Sequence, residues 1–427
     1  RTMAPEGLLE NLALDIPLQA TEKTRFQANW KDISWKQWEL LPGVENLSGT
    51  LSGSVENGRV NVDMAKAKMP YATVFRAPLE IEKGVATLAW QNDERGLQID
   101  GHDIDVQANA IHARGDFRYL QPKDDEPWLG ILAGINVTDG GQAWRYFPEN
   151  LMGKALVDYL SAAIQGGQAD NATLVYGGNP RLFPYKHNEG QFEVLVPLRN
   201  AIFAFQPDWP ALKNFDIQLD FINDGLWMKT DEVALGGVKA TNLTAVIPDY
   251  IKEKLLIDAD INGPGKAVGP YFKDTPLKDT LSTALDELQL DGDVSARLHL
   301  DIPLDGEITT AKGDVVLNHN NLFIKPLNST VKDLRGSFSF VNGNLKSEPL
   351  QAMWFNQPVN IDFTTTEGAK AYQVAVNLNG NWQPAKTGVM PQQLSDAVSG
   401  SVGWKGKVDI ELPHSAGAKY NVSIDGD

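Results

Sequence analysis

Apolar and polar residues alternate with a period of two along much of the chain, in short runs broken by Gly, Asn, Asp and Pro. Successive side chains on a strand point to opposite faces, so this pattern predicts antiparallel strands with one wet face. Phe215-Asp216-Ile217-Gln218-Leu219-Asp220-Phe221 is the clearest run, and residues 192–196, 255–261, 294–302 and 372–378 repeat it. Glu56-Asn57-Gly58, Asn223-Asp224-Gly225, Asp291-Gly292 and Val341-Asn342-Gly343 supply the residue types that hairpin turns need. The pattern reads as a β meander.

Helical spacing is confined to a few places. Over 148–164, Met152, Leu156, Tyr159, Leu160 and Ala163 form one stripe ahead of Gly166-Gly167. Over 275–288, Thr275 is a cap, Pro276 suits the first helical position, and Leu277, Leu281, Ala284, Leu285 and Leu288 recur at three- and four-residue spacing. A shorter helix is predicted over 391–398, and the Trp-rich residues 30–41 fit either a short helix or a strand. Leu14-Asp15-Ile16-Pro17-Leu18 recurs letter for letter as Leu300-Asp301-Ile302-Pro303-Leu304. Each copy is followed at similar distance by a related element, residues 47–53 and 334–340, which points to internal repetition. The proline is expected at a strand end or edge, where a missing amide donor is tolerated.

Composition changes the picture in two ways. Hydrophobic residues make up 42% and charged residues 22%, enough apolar material for a folded chain. The 55 acidic against 38 basic residues give a formal net charge of -17, which repels phosphate backbones and argues against nucleic acid as a partner. The absence of cysteine removes disulfides, thiolate nucleophiles and Cys-ligated metals. The longest nearly apolar stretch, residues 128–137, is half the roughly 20 residues a membrane-spanning helix needs. The chain opens at Arg1-Thr2 without Met and stops at Gly426-Asp427 in what reads as a strand-turn unit, so both ends are expected to be cuts in a longer exported protein.

Catalytic chemistry is missing from the pattern. His102, His112, His187, His299, His319 and His414 include no pair at the three- to five-residue spacing of a metal site on one element. The carboxylates alternate with apolar residues and read as the solvated face of a sheet. No nucleophile elbow, Walker loop or dinucleotide fingerprint is present; Gly263-Pro264-Gly265 reads as a turn, and Asp291-Gly292-Asp293 lacks the rest of a calcium loop. The expectation is a non-enzyme without metal or cofactor.

Several segments together resemble the AsmA-like family of Gram-negative envelope proteins, most closely its YhdP branch. They are residues 151–167 with Ala172-Thr173-Leu174-Val175-Tyr176-Gly177-Gly178, then Leu182-Phe183-Pro184-Tyr185, Gly190-Gln191-Phe192, Phe205-Gln206-Pro207-Asp208-Trp209-Pro210 and Gly236-Gly237-Val238. The resemblance covers the whole chain. It implies an inner-membrane anchor outside this fragment, a long periplasmic body of repeated β units, and movement of phospholipid from the inner towards the outer membrane.

The residues suit that role. Twisted sheets of many strands curl, and an apolar side turned inward makes a trough. Roughly 12 to 15 residues per strand and turn give about 25 strands, or about 120 Å if unbroken at about 4.8 Å each. The expected fold is mostly β: an elongated, twisted antiparallel sheet curled into a hydrophobic groove, with a few short helices. Groove modules are expected over 1–140, 141–290 and 291–427, with the sheet continuous throughout. Phospholipid acyl chains would lie on a floor of Phe192, Val194, Val196, Ile217, Leu219, Phe221, Leu255, Ile257, Val294, Ala296, Leu298, Leu300, Val374 and Val376. In an ordinary sandwich the same alternation faces a partner sheet. The rival reading is an envelope assembly protein whose sheet edges pair with partner proteins at its ends.

Overall fold

The computed structural model describes residues 3–38, 42–279, 281–414 and 417–426. They divide into two compact units: residues 1–203 with 213–229 and 246–254, and residues 204–212 with 230–245 and 255–427. The strands of the first half are β1 (Glu6–Asp15), β2 (Arg25–Trp35), β3 (Val44–Ser54), β4 (Asn57–Met69), β5 (Leu79–Asp93), β6 (Gly96–Ala108), β7 (Ile111–Pro122) and β8 (Trp128–Val137). Helices α1 (Glu149–Met152) and α2 (Lys154–Ala163) then lead to β9 (Ile164–Gly178), β10 (Gln191–Phe203), β11 (Leu212–Ile222), β12 (Gly225–Leu235), β13 (Val238–Ile247) and β14 (Lys254–Pro264). After α3 (Val268–Phe272) and α4 (Leu281–Glu287) come β15 (Leu288–Asp291), β16 (Asp293–Pro303), β17 (Thr310–Ile324), β18 (Ser329–Val341), β19 (Asn344–Ser347) and β20 (Leu350–Trp354). Strands β21 (Gln357–Glu367) and β22 (Ala371–Trp382), helix α5 (Gln392–Ser395), and strands β23 (Val402–Pro413) and β24 (Lys419–Gly426) complete the described chain. All five alternating runs are strands, and the 24 strands among the described residues agree with the mostly antiparallel β expectation.

In the first unit β1 to β10 form an unbroken antiparallel meander, each strand paired with the next. Several hairpin turns fall where Asn and Gly mark them: Val55-Glu56 joins β3 to β4 and Asn223-Asp224 joins β11 to β12. Register breaks recur along the strands, and residues there adopt left-handed backbone, among them Asp32, Asn46, Asp103 and Asn200. Such bulges bend a strand and increase its twist.

In the second unit β16 to β18 and β20 to β24 pair in the same manner, with β19 between β18 and β21. Strand β24 lies seven strand positions from the position shared by β15 and β16, about 34 Å across a flat sheet. Yet the Tyr420 hydroxyl of β24 donates a 2.8 Å hydrogen bond to Glu287 Oε2, one residue before β15. Two side chains span no more than about 12 Å, so the sheet of this unit curls back on itself. Its inner face holds the unit's core, including Val331, Leu334, Leu350, Tyr372, Val374 and Ile410, with Ala284 of α4 and Val268 of α3 packed against it.

Several expectations are corrected. The helix over 148–164 is broken at Gly153, whose φ of +85° favours glycine, and β9 begins at Ile164, so Gly166-Gly167 lies inside a strand. The 275–288 helix shrinks to α4: Thr275 and Pro276 fall in turns, and Thr275 Oγ1 instead accepts from the Leu277 amide. Asp291-Gly292 is no hairpin, because β15 and β16 both pair with β17 and the glycine only interrupts one strand position. In residues 30–41 the strand wins up to Trp35, and 39–41 lie outside the described residues. The repeat has a structural counterpart: Leu14-Asp15 ends β1 and Leu300 to Pro303 ends β16, while residues 47–53 and 334–340 lie two strands on, in β3 and β18.

Candidate functional site

Cross-strand register assembles an apolar row on one face of the first unit. Leu12, Ala28, Leu51, Val60, Leu88, Gly101, Phe117, Ile131, Tyr176 and Phe192 are successive partners on ten neighbouring strands. The row runs about 43 Å measured along the sheet. A second row, Leu14, Phe26, Gly53, Gly58, Trp90, Ile99, Tyr119 and Leu129, lies beside it. Most of these side chains are half-buried, and Leu12 and Leu14 of β1 are exposed. A side chain sealed beneath a partner layer would be buried. The floor is therefore apolar and accessible.

The opposite face is polar, with its own cross-strand partners. Thr87 Oγ1 donates to Asn61 Oδ1 (3.1 Å), whose amide donates to Thr50 Oγ1 (3.4 Å). Arg118 forks onto Asp100 (2.6 and 3.2 Å), and the Arg118 hydrogen bond holds the Asp100 carboxyl below its ordinary range. Apolar exceptions on this face include Val85, the cross-strand pair Leu132 and Val175, and the pair Leu120 and Trp128.

Burial is graded along the strands. Towards the loops at 70–78 and 139–163, Met64, Ala67, Ile81, Ala169, Leu198 and Ala201 are buried. There α2 seats Leu156, Val157, Leu160 and Ala163, each 0% exposed. Arg76 ties this cover to the β4–β5 loop through Glu149 (2.5 Å) and Asp158 (2.7 Å), and its hydrogen bond to Glu149 is the main reason that carboxyl is held low. The face thus has one covered margin and one open margin.

The predicted floor residues lie partly in the first unit, from Phe192 to Phe221, and partly in the second, from Leu255 to Val376. Of the fourteen predicted floor residues, Ile217, Leu219, Leu255, Ile257, Val294 and Val374 are buried, while Phe192, Val194, Val196, Phe221, Ala296, Leu298, Leu300 and Val376 are half-buried. Phe192 and Val194 join the row of the first unit, opposite Tyr176 and Leu174. Val294, Val374 and Val376 belong to or pack on the second unit's core. Sequence reasoning missed the contribution of β2 to β8, although the same alternation is present in Val60-Asn61-Val62-Asp63-Met64 and Phe117-Arg118-Tyr119; their glycines and alanines diluted it.

The histidines form no shared site. His112, His299 and His319 pair singly with Asp105, Asp258 and Asp333. Among the described residues no group of three or more His, Asp or Glu is placed to hold a metal, and no helix is long and apolar enough to cross a membrane.

An antiparallel meander with an apolar row on one face and a polar opposite face in the first unit, and a sheet curled on its apolar core in the second, define the class of groove-forming β proteins. The family model described as YhdP protein matches residues 1–427, and the chain belongs to that family. It is 74% identical over 427 residues to the intermembrane phospholipid transporter YhdP of Escherichia coli (strain K12), a match covering all of this chain and 34% of that protein. The chain spans about a third of the length of that relative. No solved structure matches it.

Proposed function

We propose that this chain is a periplasmic segment of a bridge-like lipid transfer protein, carrying phospholipid acyl chains along its apolar faces between the inner and outer membranes. The observation that carries the reading is the half-exposed apolar row across ten strands, together with membership of a family whose relative is named a phospholipid transporter. An acyl chain on that floor gains about 0.8 kcal/mol per buried methylene, and the headgroup stays in water at the open margin. A near-uniform aliphatic and aromatic floor discriminates little between chains, which suits sliding. The process is passive binding and movement, without bond chemistry or a cofactor. Membrane attachment belongs to parts of the protein outside these residues. Among the fourteen floor residues, the half-buried Phe192, Val194, Val196, Phe221, Ala296, Leu298, Leu300 and Val376 are assigned to lipid contact, and the buried six to holding the sheet.

Charging the floor tests this. In the full-length protein, Leu88→Asp and Ile131→Asp are expected to lower the phospholipid that co-purifies, measured by mass spectrometry, while Leu132→Asp on the polar face leaves it unchanged. Equal lipid in all three folded variants would remove the floor from the account.

A further inference from the structure

On the apolar faces, aromatic side chains recur directly opposite a glycine on the neighbouring strand. Trp30 faces Gly49, Trp90 faces Gly58 and Phe117 faces Gly101 in the first unit, and Phe340 faces Gly313 in the second. At Gly58 and Gly101 ring atoms are nearest to where a β-carbon would stand, while at Gly49 and Gly313 a backbone carbonyl, of Asn61 and Arg297, is nearer than the ring. At Gly101 the three nearest atoms all belong to the Phe117 ring, and no left-handed backbone is involved. The pairs of the first unit, with Phe26 opposite Gly53 as a second on β2–β3, fall on β2–β3, β4–β5 and β6–β7, every second strand boundary.

An aromatic ring laid over a cross-strand glycine shields that glycine's backbone and packs without a side chain beneath it. It also lies low. A ring across the adjacent strand raises the floor by about its own contact thickness, about 3.5 Å, whereas a ring standing on its strand would fill the trough. We propose that two of these glycines, Gly58 and Gly101, set the depth of the trough and are bore-determining positions for the acyl chains. A β-carbon at either lifts the ring off the floor into the path. This inference rests on the lipid reading above and adds which residues fix the room available.

The test places a photo-reactive amino acid at Ile131, the partner of Phe117 on β8, in the full-length protein in cells. Crosslinking to phospholipid is expected to fall roughly tenfold on adding Gly101→Val and to return when Phe117→Ala is added to it. Gly101→Ala, the smaller step, is expected to lower crosslinking in the same direction and decides the matter if Gly101→Val does not fold. Undiminished crosslinking in folded Gly101→Val or Gly101→Ala, or no recovery when Phe117→Ala is added to the valine variant, overturns the proposal. A parent protein that captures no phospholipid at Ile131 overturns the lipid reading instead.

Discussion

Asp220 on β11 has one carboxylate oxygen buried without a hydrogen-bond partner. Burial, reinforced by the adjacent Glu193 carboxyl, raises its pKa to about 6. Because that value lies above the ordinary carboxylate range near 3.9, the folded state is favoured most when Asp220 is protonated. Its contribution is full below about pH 4, declines as pH rises through about 6, and then levels off. Asp220→Asn is therefore expected to raise the melting temperature at pH 7 and to flatten its change between pH 4.5 and 7; thermal melts at both values check this, and unchanged melts would contradict it. At this scale the sequence was half legible. Leu219 and Leu298 sit in equally clean alternation, yet Leu219 is 3% exposed and Leu298 half-buried. Period two reports which face a residue occupies; what covers that face comes from distant elements.

Helix α4 is the element whose placement depends most on contacts far away in sequence. Its Ala284 packs against the second unit's core, Ser282 Oγ donates to Gly269 O of α3 (3.4 Å), and Glu287 accepts from Tyr420 of β24. Desolvation and the Glu287 carboxylate together push the Tyr420 hydroxyl up to about 12. Tyr420→Phe removes only this tether, so faster amide hydrogen exchange is expected over 281–287 with little change in β20 to β23. Exchange in α4 indistinguishable from the parent would mean that packing alone holds the helix. The strands were readable because alternation is a local signal, and α2 because its stripe is long. The 275–288 stripe overstated α4, and α3 carries Pro270 and too few residues for any periodicity. Asp291-Gly292 has hairpin chemistry but serves as a strand interruption, a distinction set by the shared partner β17.

For the molecule as a whole, a formal charge of -17 accompanies an extensive apolar face, and the two coexist because charge and apolar residues alternate onto opposite sides of the strands. The -17 balance disfavours adsorption to anionic headgroups and has no bearing on apolar groups held on a shielded face. The mostly antiparallel β class and the family were legible from the residues, through face alternation and the ordered segments between 151 and 238. The continuity of the apolar row was not, since it depends on register across nine strand pairs. The most direct test is site-specific photo-crosslinking in cells, comparing Leu88 and Phe117 on the floor with Val85 and Leu132 on the polar face. The account predicts phospholipid adducts at the first two positions and none at the second two, although all four are apolar and accessible. Adducts at both pairs alike, or at neither, would contradict a lipid path along this face.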